Sequence, residues 1–172
     1  MNKAFCPFCG HAYGHEKTNP RTCSNDACAQ PVWENPVPVG VLIQPVDDGL
    51  LLVQRGIRPG YGLWAMPGGY LALGESWQEG TAREGWEELG VKVDPNSITI
   101  VEAVSPPNAH TLLLFGFARK PMRERDLPPF VPNEEALARR VARSTDEVAH
   151  AFPSHKALYD RFFAGEFQHL YL

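Results

Sequence analysis

The chain has 172 residues, 44% of them hydrophobic, enough for one ordinary domain with a real core and a small appendage. That composition excludes a disordered or fibrous protein. The formal net charge of −4, from 20 acidic and 16 basic residues, argues against a broad nucleic-acid-binding surface, so an anionic ligand would need metal ions or a few local arginines.

The amino terminus, "MNKAFCPFCG", lacks the apolar core of a signal peptide, and no apolar run approaches the ~20 residues of a membrane span. The expectation is a cytoplasmic protein without a membrane partner. Cys6, Cys9, Cys23 and Cys28 are the only cysteines, and in a reducing compartment such clustering points to metal before disulfides. "CPFCG" is a compact turn able to place two thiolates on one ion. "CSNDAC" offers the second pair at a wider spacing than metal ribbons usually have. Four thiolates would hold a structural Zn²⁺ with no open position for catalysis. His11 and His15 are spare ligands, and free thiols or a redox pair are the alternatives.

"QPVWENPVPVG" reads as a linker and the entry to a strand, which divides the chain into residues 1–35 and 36–172. The apolar run "VGVLIQPV" predicts a buried strand, "DDG" at Asp47 to Gly49 a hairpin turn, and "LLLVQR" the returning strand. "GIRPGYG" is a loop. A helix follows, started by a capping box of Ser76 and Glu79 and ended by Gly90. Its apolar stripe, Ala82, Gly85, Trp86 and Leu89, is expected to face the core, which leaves Glu84, Glu87 and Glu88 toward solvent. Strands are expected near Ile98 to Val104 and Thr111 to Ala118, joined by the turn-forming "SPPN". For "NEEALARRVARSTDEV" local rules favour a helix capped by Asn133. "PSHKALYDRFFAGEF" predicts a helix with a stripe of Ala157, Leu158, Phe162 and Phe163 that stops at Gly165. Strands mixed with helices suggest α/β or α+β.

Glu84 and Glu88 stand four apart, so like charges face each other across one helical turn. A divalent cation between them would turn repulsion into coordination, since carboxylate oxygens are what Mg²⁺ or Mn²⁺ prefers. A solvated face with Arg83 paired to Glu79 or Glu87 explains the helix equally well. The loop before it, "MPGGYLALGE", brings glycines and a proline to the helix entry, where backbone can approach a ligand closely.

Taken together, Gly69, Glu75 and "REGWEELGV" resemble the Nudix box of the Nudix hydrolases, with eight of nine fixed positions matched. Gly85 stands where the family has an aliphatic residue. "NPVPVGVLI", "LLLVQRGIRPGYGLWAMPGGYL", the cysteine segment and "AF" at Ala151 and Phe152 extend the likeness to the zinc-ribbon Nudix enzymes, among them NADH pyrophosphatases and plant-type FAD pyrophosphatases. The resemblance implies a Nudix α/β/α sandwich with a mixed sheet behind a small zinc ribbon. It also implies a strand, against the local helix reading, around Ala138 to Arg143.

By position, the resemblance makes Glu84 and Glu88 direct ligands of Mg²⁺ or Mn²⁺. Glu87 binds through water or acts as a base, and the Gly68 carbonyl is a further ligand. Glu75 and Arg83 lock loop to helix. Arg55 and Arg58 at the loop mouth are candidates for a substrate phosphate, although a solvated arginine explains Arg58 as well. Tyr61, Trp64 and Phe115 are candidates to stack on a base or flavin, with core packing the stronger explanation for any single one. The implied activity is hydrolysis of a nucleotide pyrophosphate bond, releasing AMP. The NADH-selecting "SQPWPFP" motif of the family is missing from "VEAVSPPNAHTLLLFGFARK", which favours FAD or ADP-ribose over NADH. A homodimer is implied only by family analogy. The competing reading is a nucleotide-sensing, or nucleic-acid- or protein-binding, module without turnover, against which the complete set Arg83, Glu84, Glu87 and Glu88 counts.

Overall fold

The computed structural model describes residues 4–14, 18–107, 110–145 and 147–172. Two compact units make up the chain, Met1–Pro36 and Val37–Leu172. His15 and Asn108 lie outside the described residues.

In the first unit, β1 (Arg21–Thr22) pairs antiparallel with β2 (Pro31–Val32). Among its described residues the only buried apolar ones are Cys6 and Cys23, while Phe5, Phe8 and Trp33 are exposed. Among the described residues, no hydrophobic core of its own holds this segment together.

The second unit opens with β3 (Val37–Ile43) and β4 (Pro45–Val46), followed by β5 (Gly49–Arg55), β6 (Trp64–Ala65) and β7 (Gly68–Tyr70). Helix α1 (Trp77–Leu89), β8 (Ile98–Val104), β9 (Thr111–Ala118), β10 (Ala136–Ala142) and α2 (Pro153–Phe163) complete it. Two sheets result. One has the order β7-β3-β9-β8, with β3 and β9 parallel and the outer pairs antiparallel; the other has the order β10-β5-β4, with β6 also on β5.

The run expected to form one strand is therefore two strands in different sheets. Pro45 has no amide hydrogen for the ladder, so the chain leaves the first sheet after Ile43 and enters the second. Gln44, fully buried at the crossing, donates from Nε2 to the carbonyls of Pro45 (2.8 Å) and Lys120 (3.3 Å). Only the Pro45–Val46 end pairs with β5 around the Asp47–Asp48 turn, where Asp47 has a φ of 49°.

Continuous apolar runs mark strands covered on both faces, and alternate residues serve opposite layers. Val41, Ile43, Leu50, Leu52, Phe115 and Phe117 pack with Leu158 and Tyr159 of α2. On the other side Leu42 packs with Ala82 of α1, and Leu51 and Val53 with Leu89. The sheets thus lie between the two helices, the α/β/α sandwich. Within α2 the expected stripe holds at Leu158, Phe162 and Phe163 and fails at Ala157. His155, Leu158 and Tyr159 are buried, Phe162 and Phe163 are half-buried, and Ala157 faces solvent.

Residues 136–142 are a strand rather than the locally favoured helix, paired antiparallel with β5 from Ala136 opposite Arg55 to Ala142 opposite Leu50. Phe115 is buried in the core and unavailable for stacking on a ligand. No helix among the described residues is long and apolar enough to cross a membrane.

Candidate active site and cysteine cluster

Helix α1 begins with the capping box. Ser76 Oγ accepts from the Glu79 amide (3.2 Å), and the Glu79 carboxylate accepts from the Ser76 amide (2.7 Å). Gly90 ends it in the left-handed region. The buried side of the helix departs from expectation. Trp86 is half exposed, with the Lys92 ammonium 5.0 Å from its ring centroid, whereas Glu84 and Glu88 are 7% and 6% exposed. The reason is β7, which lies along the acidic flank. A methyl group at Gly69 would sit 2.5 Å from the Glu84 carboxylate, so glycine is what admits that carboxylate against the strand. The Gly68 amide donates to Glu88 Oε2 at 2.9 Å.

Burial pushes the Glu88 carboxyl up to about 8, with the neighbouring Glu84 adding to the effect and the Gly68 amide and Arg55 opposing it. Burial also raises Glu84, against the pull of Arg83. Two carboxylates one helical turn apart and both shielded from water are costly without a cation. The donor set is oxygen only, as Mg²⁺ or Mn²⁺ requires, and the residues present fit such an ion.

Arg83 organises the outer side of the helix. Its Nε and Nη2 meet the two Glu75 oxygens at 3.1 and 2.9 Å, Nη2 also donates to the Tyr70 carbonyl (2.9 Å), and Nη1 reaches Glu84 (2.7 Å) and Glu87 (2.9 Å). Glu75 holds Arg83 well above its usual range, and Arg83 holds Glu75 low. The loop between β7 and α1 is thereby fixed to the helix by a bidentate pair. Glu87 is half exposed and shares Arg83 Nη1 with the buried Glu84.

Arg55 lies at the end of β5. Its guanidinium stands 4.9 Å from the Phe152 ring centroid, and Nε donates to the Pro59 carbonyl (2.9 Å). Burial lowers its pKa while Glu88 and Glu135 oppose that shift, which places Arg55 in the field of the acidic flank. Arg58 and Tyr61 are exposed in the loop that follows. Trp64, on β6, is half-buried with the Arg140 guanidinium 5.9 Å from its ring centroid. A separate groove of ≈ 550 Å³ runs beside the end of α1, lined by Trp86, Lys92, Met122 and Leu127 among others. Glu84, Glu87 and Glu88 do not line it.

Three residues near this site escaped the sequence reading. His155 of α2 accepts from the Met66 amide through Nδ1 (3.2 Å), just ahead of the glycine loop. In the turn before β10, Asn133 donates from Nδ2 to the Glu87 carbonyl (3.0 Å) and the Glu135 carbonyl accepts from the Gly56 amide (2.7 Å). A histidine in a helix and an Asn-Glu-Glu run carry no distance information in sequence, and Asn133 reads as an ordinary helix cap.

The Cys6, Cys9, Cys23 and Cys28 sulfurs all lie within 4.8 Å of one another and form no disulfide. Cys6 neighbours Cys28 at 3.9 Å and Cys9 neighbours Cys23 at 3.6 Å. Tetrahedral zinc–thiolate bonds of about 2.3 Å put sulfurs about 3.8 Å apart, so the cluster fits a zinc site despite the wide Cys23–Cys28 spacing. His11 is exposed and outside the cluster.

A family model described as NUDIX domain matches residues 34–163. The chain is 43% identical over 60 residues to "MutT-like protein" of Streptomyces ambofaciens, covering 35% of this chain and 36% of that one. It is 33% identical over 90 residues to "NAD-capped RNA hydrolase NudC" of Enterobacter sp. (strain 638), covering 52% and 34%. Against "Nudix hydrolase 19, chloroplastic" of Arabidopsis thaliana it is 33% identical over 92 residues, covering 52% and 21%. The chain therefore spans about a third or less of the length of these relatives. Among solved structures, a NUDIX hydrolase from Nitrosomonas europaea superposes with a TM-score of 0.73 at 24% identity, covering 96% of this chain and 92% of that one. A bifunctional NMN adenylyltransferase/ADP ribose pyrophosphatase from Francisella tularensis, complexed with AMP and Mn ion, gives 0.56 at 18%, covering 80% and 43%. At these identities the structural likeness speaks for the fold.

Proposed function

The chain belongs to the NUDIX domain family, and from that premise we propose that it hydrolyses the pyrophosphate bond of a nucleoside diphosphate derivative with the help of a divalent cation. The observation that carries the reading is the pair of buried carboxylates, Glu84 and Glu88, one turn apart on α1 and held against β7. A module that only sensed a nucleotide would gain nothing from sheltering two acids at a cost in stability.

Glu84 and Glu88 would hold Mg²⁺ or Mn²⁺, with the Gly68 carbonyl as a further ligand. When bound, the cation supplies charge neutralisation of the diphosphate and lowers the pKa of water. The chain's own residues do the rest. Glu87, half exposed beside Arg83, would bind the cation through water or take a proton from the attacking water. The Glu75–Arg83 pair keeps the loop from Tyr70 to Glu75 in register with the helix. Arg55, partly desolvated over Phe152, meets a phosphate oxygen with a charge that water screens poorly. Arg58 and Tyr61 at the exposed loop, and Trp64 behind it, form the side on which the nucleoside or its partner group rests.

The names of the relatives, an NAD-capped RNA hydrolase and an ADP ribose pyrophosphatase, support a dinucleotide or nucleotide-sugar diphosphate as substrate. With no counterpart to the NADH-selecting motif, FAD or ADP-ribose is preferred to NADH, and AMP is one product. Contacts beyond the shared pyrophosphate decide such preferences.

Steady-state assays of FAD, ADP-ribose and NADH with Mg²⁺ and with Mn²⁺ test this, alongside Glu84→Gln and Glu88→Gln. Turnover of at least one substrate is expected, with both variants slower by orders of magnitude. Their thermal midpoints should hold or rise, since a neutral amide replaces a buried acid. Near-normal activity in both variants overturns the site. An efficiency for NADH above both others overturns only the substrate preference.

A further inference from the structure

We propose that Asn133 is a positioning residue of this site, tying the turn before β10 to the end of α1 and thereby holding Glu135 beside Arg55 at the end of β5. The inference rests on the metal-dependent reading above and adds a residue outside the helix and its loop.

Every polar atom of the Asn133 side chain is engaged. Oδ1 accepts from the amides of Glu135 (2.9 Å) and Ala136 (2.8 Å), while Nδ2 donates to the Glu87 carbonyl at 3.0 Å. The Asn133 amide donates to the Ala136 carbonyl (2.9 Å), which closes the turn. The Glu87 carbonyl belongs to the last turn of α1, where carbonyls have no partner within the helix. At that end of α1 no basic residue of the helix covers them. The partners come from the β10 region instead: Asn133 takes Glu87, and Arg139 Nη1 takes Leu89 at 2.8 Å. The turn that carries Glu135 and the helix that carries Glu84 and Glu88 are thus joined through one side chain.

The other side of the turn is seated independently. The Gly56 amide donates to the Glu135 carbonyl at 2.7 Å, and a methyl group at Gly56 would lie 2.2 Å from the Glu134 carbonyl oxygen. Glycine next to Arg55 is therefore what lets residues 134 and 135 lie on the end of β5. Glu135 directly precedes Ala136, which lies opposite Arg55 in the β10–β5 ladder, so its side chain leaves the chain at the same strand end as Arg55. A carboxylate beside the arginine that meets the substrate phosphate adds an oxygen donor or orients a water there. Asn133 itself is exposed, so it acts through geometry and not through packing.

The test compares Asn133→Ala, Asn133→Ser, Glu135→Gln and the Ala/Gln double variant in kcat, KM and Mn²⁺ affinity, with thermal unfolding to confirm the fold. Serine can still accept from the turn amides but has no amide to reach Glu87. Loss of such outer partners typically weakens metal binding or activity about 10-fold or more. The expected result is that Asn133→Ala and Asn133→Ser both lose about 10-fold in kcat and in Mn²⁺ affinity, with KM nearly unchanged. The double variant should be no worse than the poorer single variant. Wild-type values for Asn133→Ser show that only the turn cap matters and overturn the tie. Additive losses in the double variant overturn action through Glu135. Absence of metal-dependent turnover in the wild-type protein is a different failure, that of the hydrolase reading.

Discussion

A methyl group added at Gly85 would lie 2.7 Å from Cδ2 of Leu42, a side chain with no exposure to solvent. The aliphatic residue that the family places at this point of the helix is missing because β3 fills the same volume from the opposite layer. Gly85→Leu should therefore destabilise by about 1–3 kcal/mol through overpacking, and Leu42→Ala by about 2–5 kcal/mol through the cavity it leaves. Together they should lose clearly less than the sum, since the new leucine occupies the vacated space. Urea unfolding of the four proteins gives the coupling, and strict additivity would rule out the shared volume. The same helix shows what spacing can and cannot convey. The i, i+4 acids and the capping box are visible in the letters alone, but their side is not. Amphipathic reasoning sends charges outward and Trp86 inward, whereas here the space left by Gly69 admits the Glu84 carboxylate and Trp86 stays half exposed.

Between elements, the strand β10 was reachable only through resemblance. Asn133 as cap, early glutamates and later arginines satisfy every local rule for a helix, yet residues 136–142 complete a sheet whose free edge on β5 outweighs a fraction of a kcal/mol per residue of propensity. Likewise nothing in the run from Val39 to Val46 announces a change of sheet except Pro45, which local reading absorbs into one strand. Helix α2 contributes a contact of the same long-range kind. His155 accepts from the Met66 amide, so its Nδ1 must be unprotonated, and burial holds its pKa down at about 3, with Arg55 and His150 adding repulsion. In the unfolded chain the ordinary value is about 6.5. The unfolded state thus takes up a proton that the native state refuses between these values. This contribution to stability is complete above pH of about 6.5 and falls as pH drops toward about 3, by at most about 1.4 kcal/mol per pH unit. His155→Asn keeps an acceptor for Met66 without titrating. Denaturant unfolding from pH 4 to 8 should show a shallower acid-side loss for the variant, and equal slopes would mean that His155 is not the group responsible.

The two units of the molecule are stabilised by different physics. Residues 37–172 bury Leu42, Ile43, Leu50, Leu51, Phe115 and Tyr159 completely and need no cross-link to stay folded. Residues 1–36 have, among those described, two strands of two residues each and no buried apolar side chain besides Cys6 and Cys23. A segment of that size cannot offset its chain entropy by burial, so a metal bound by the thiolates would be its folding energy, of order 10 kcal/mol in comparable small sites. The sulfurs already stand at 3.6 and 3.9 Å in two neighbouring pairs, close to the spacing of a tetrahedral zinc–thiolate centre. The purified protein should contain about one zinc per chain. Chelation at neutral pH should abolish hydrogen-exchange protection in residues 1–36 while the protection and thermal midpoint of residues 37–172 persist, because the thiolates have no part in that core. Elemental analysis and exchange measured on the same sample, with and without chelator, decide it. Four thiols that titrate freely in the folded protein, or protection in residues 1–36 that survives complete removal of the metal, would show that something other than zinc holds the ribbon.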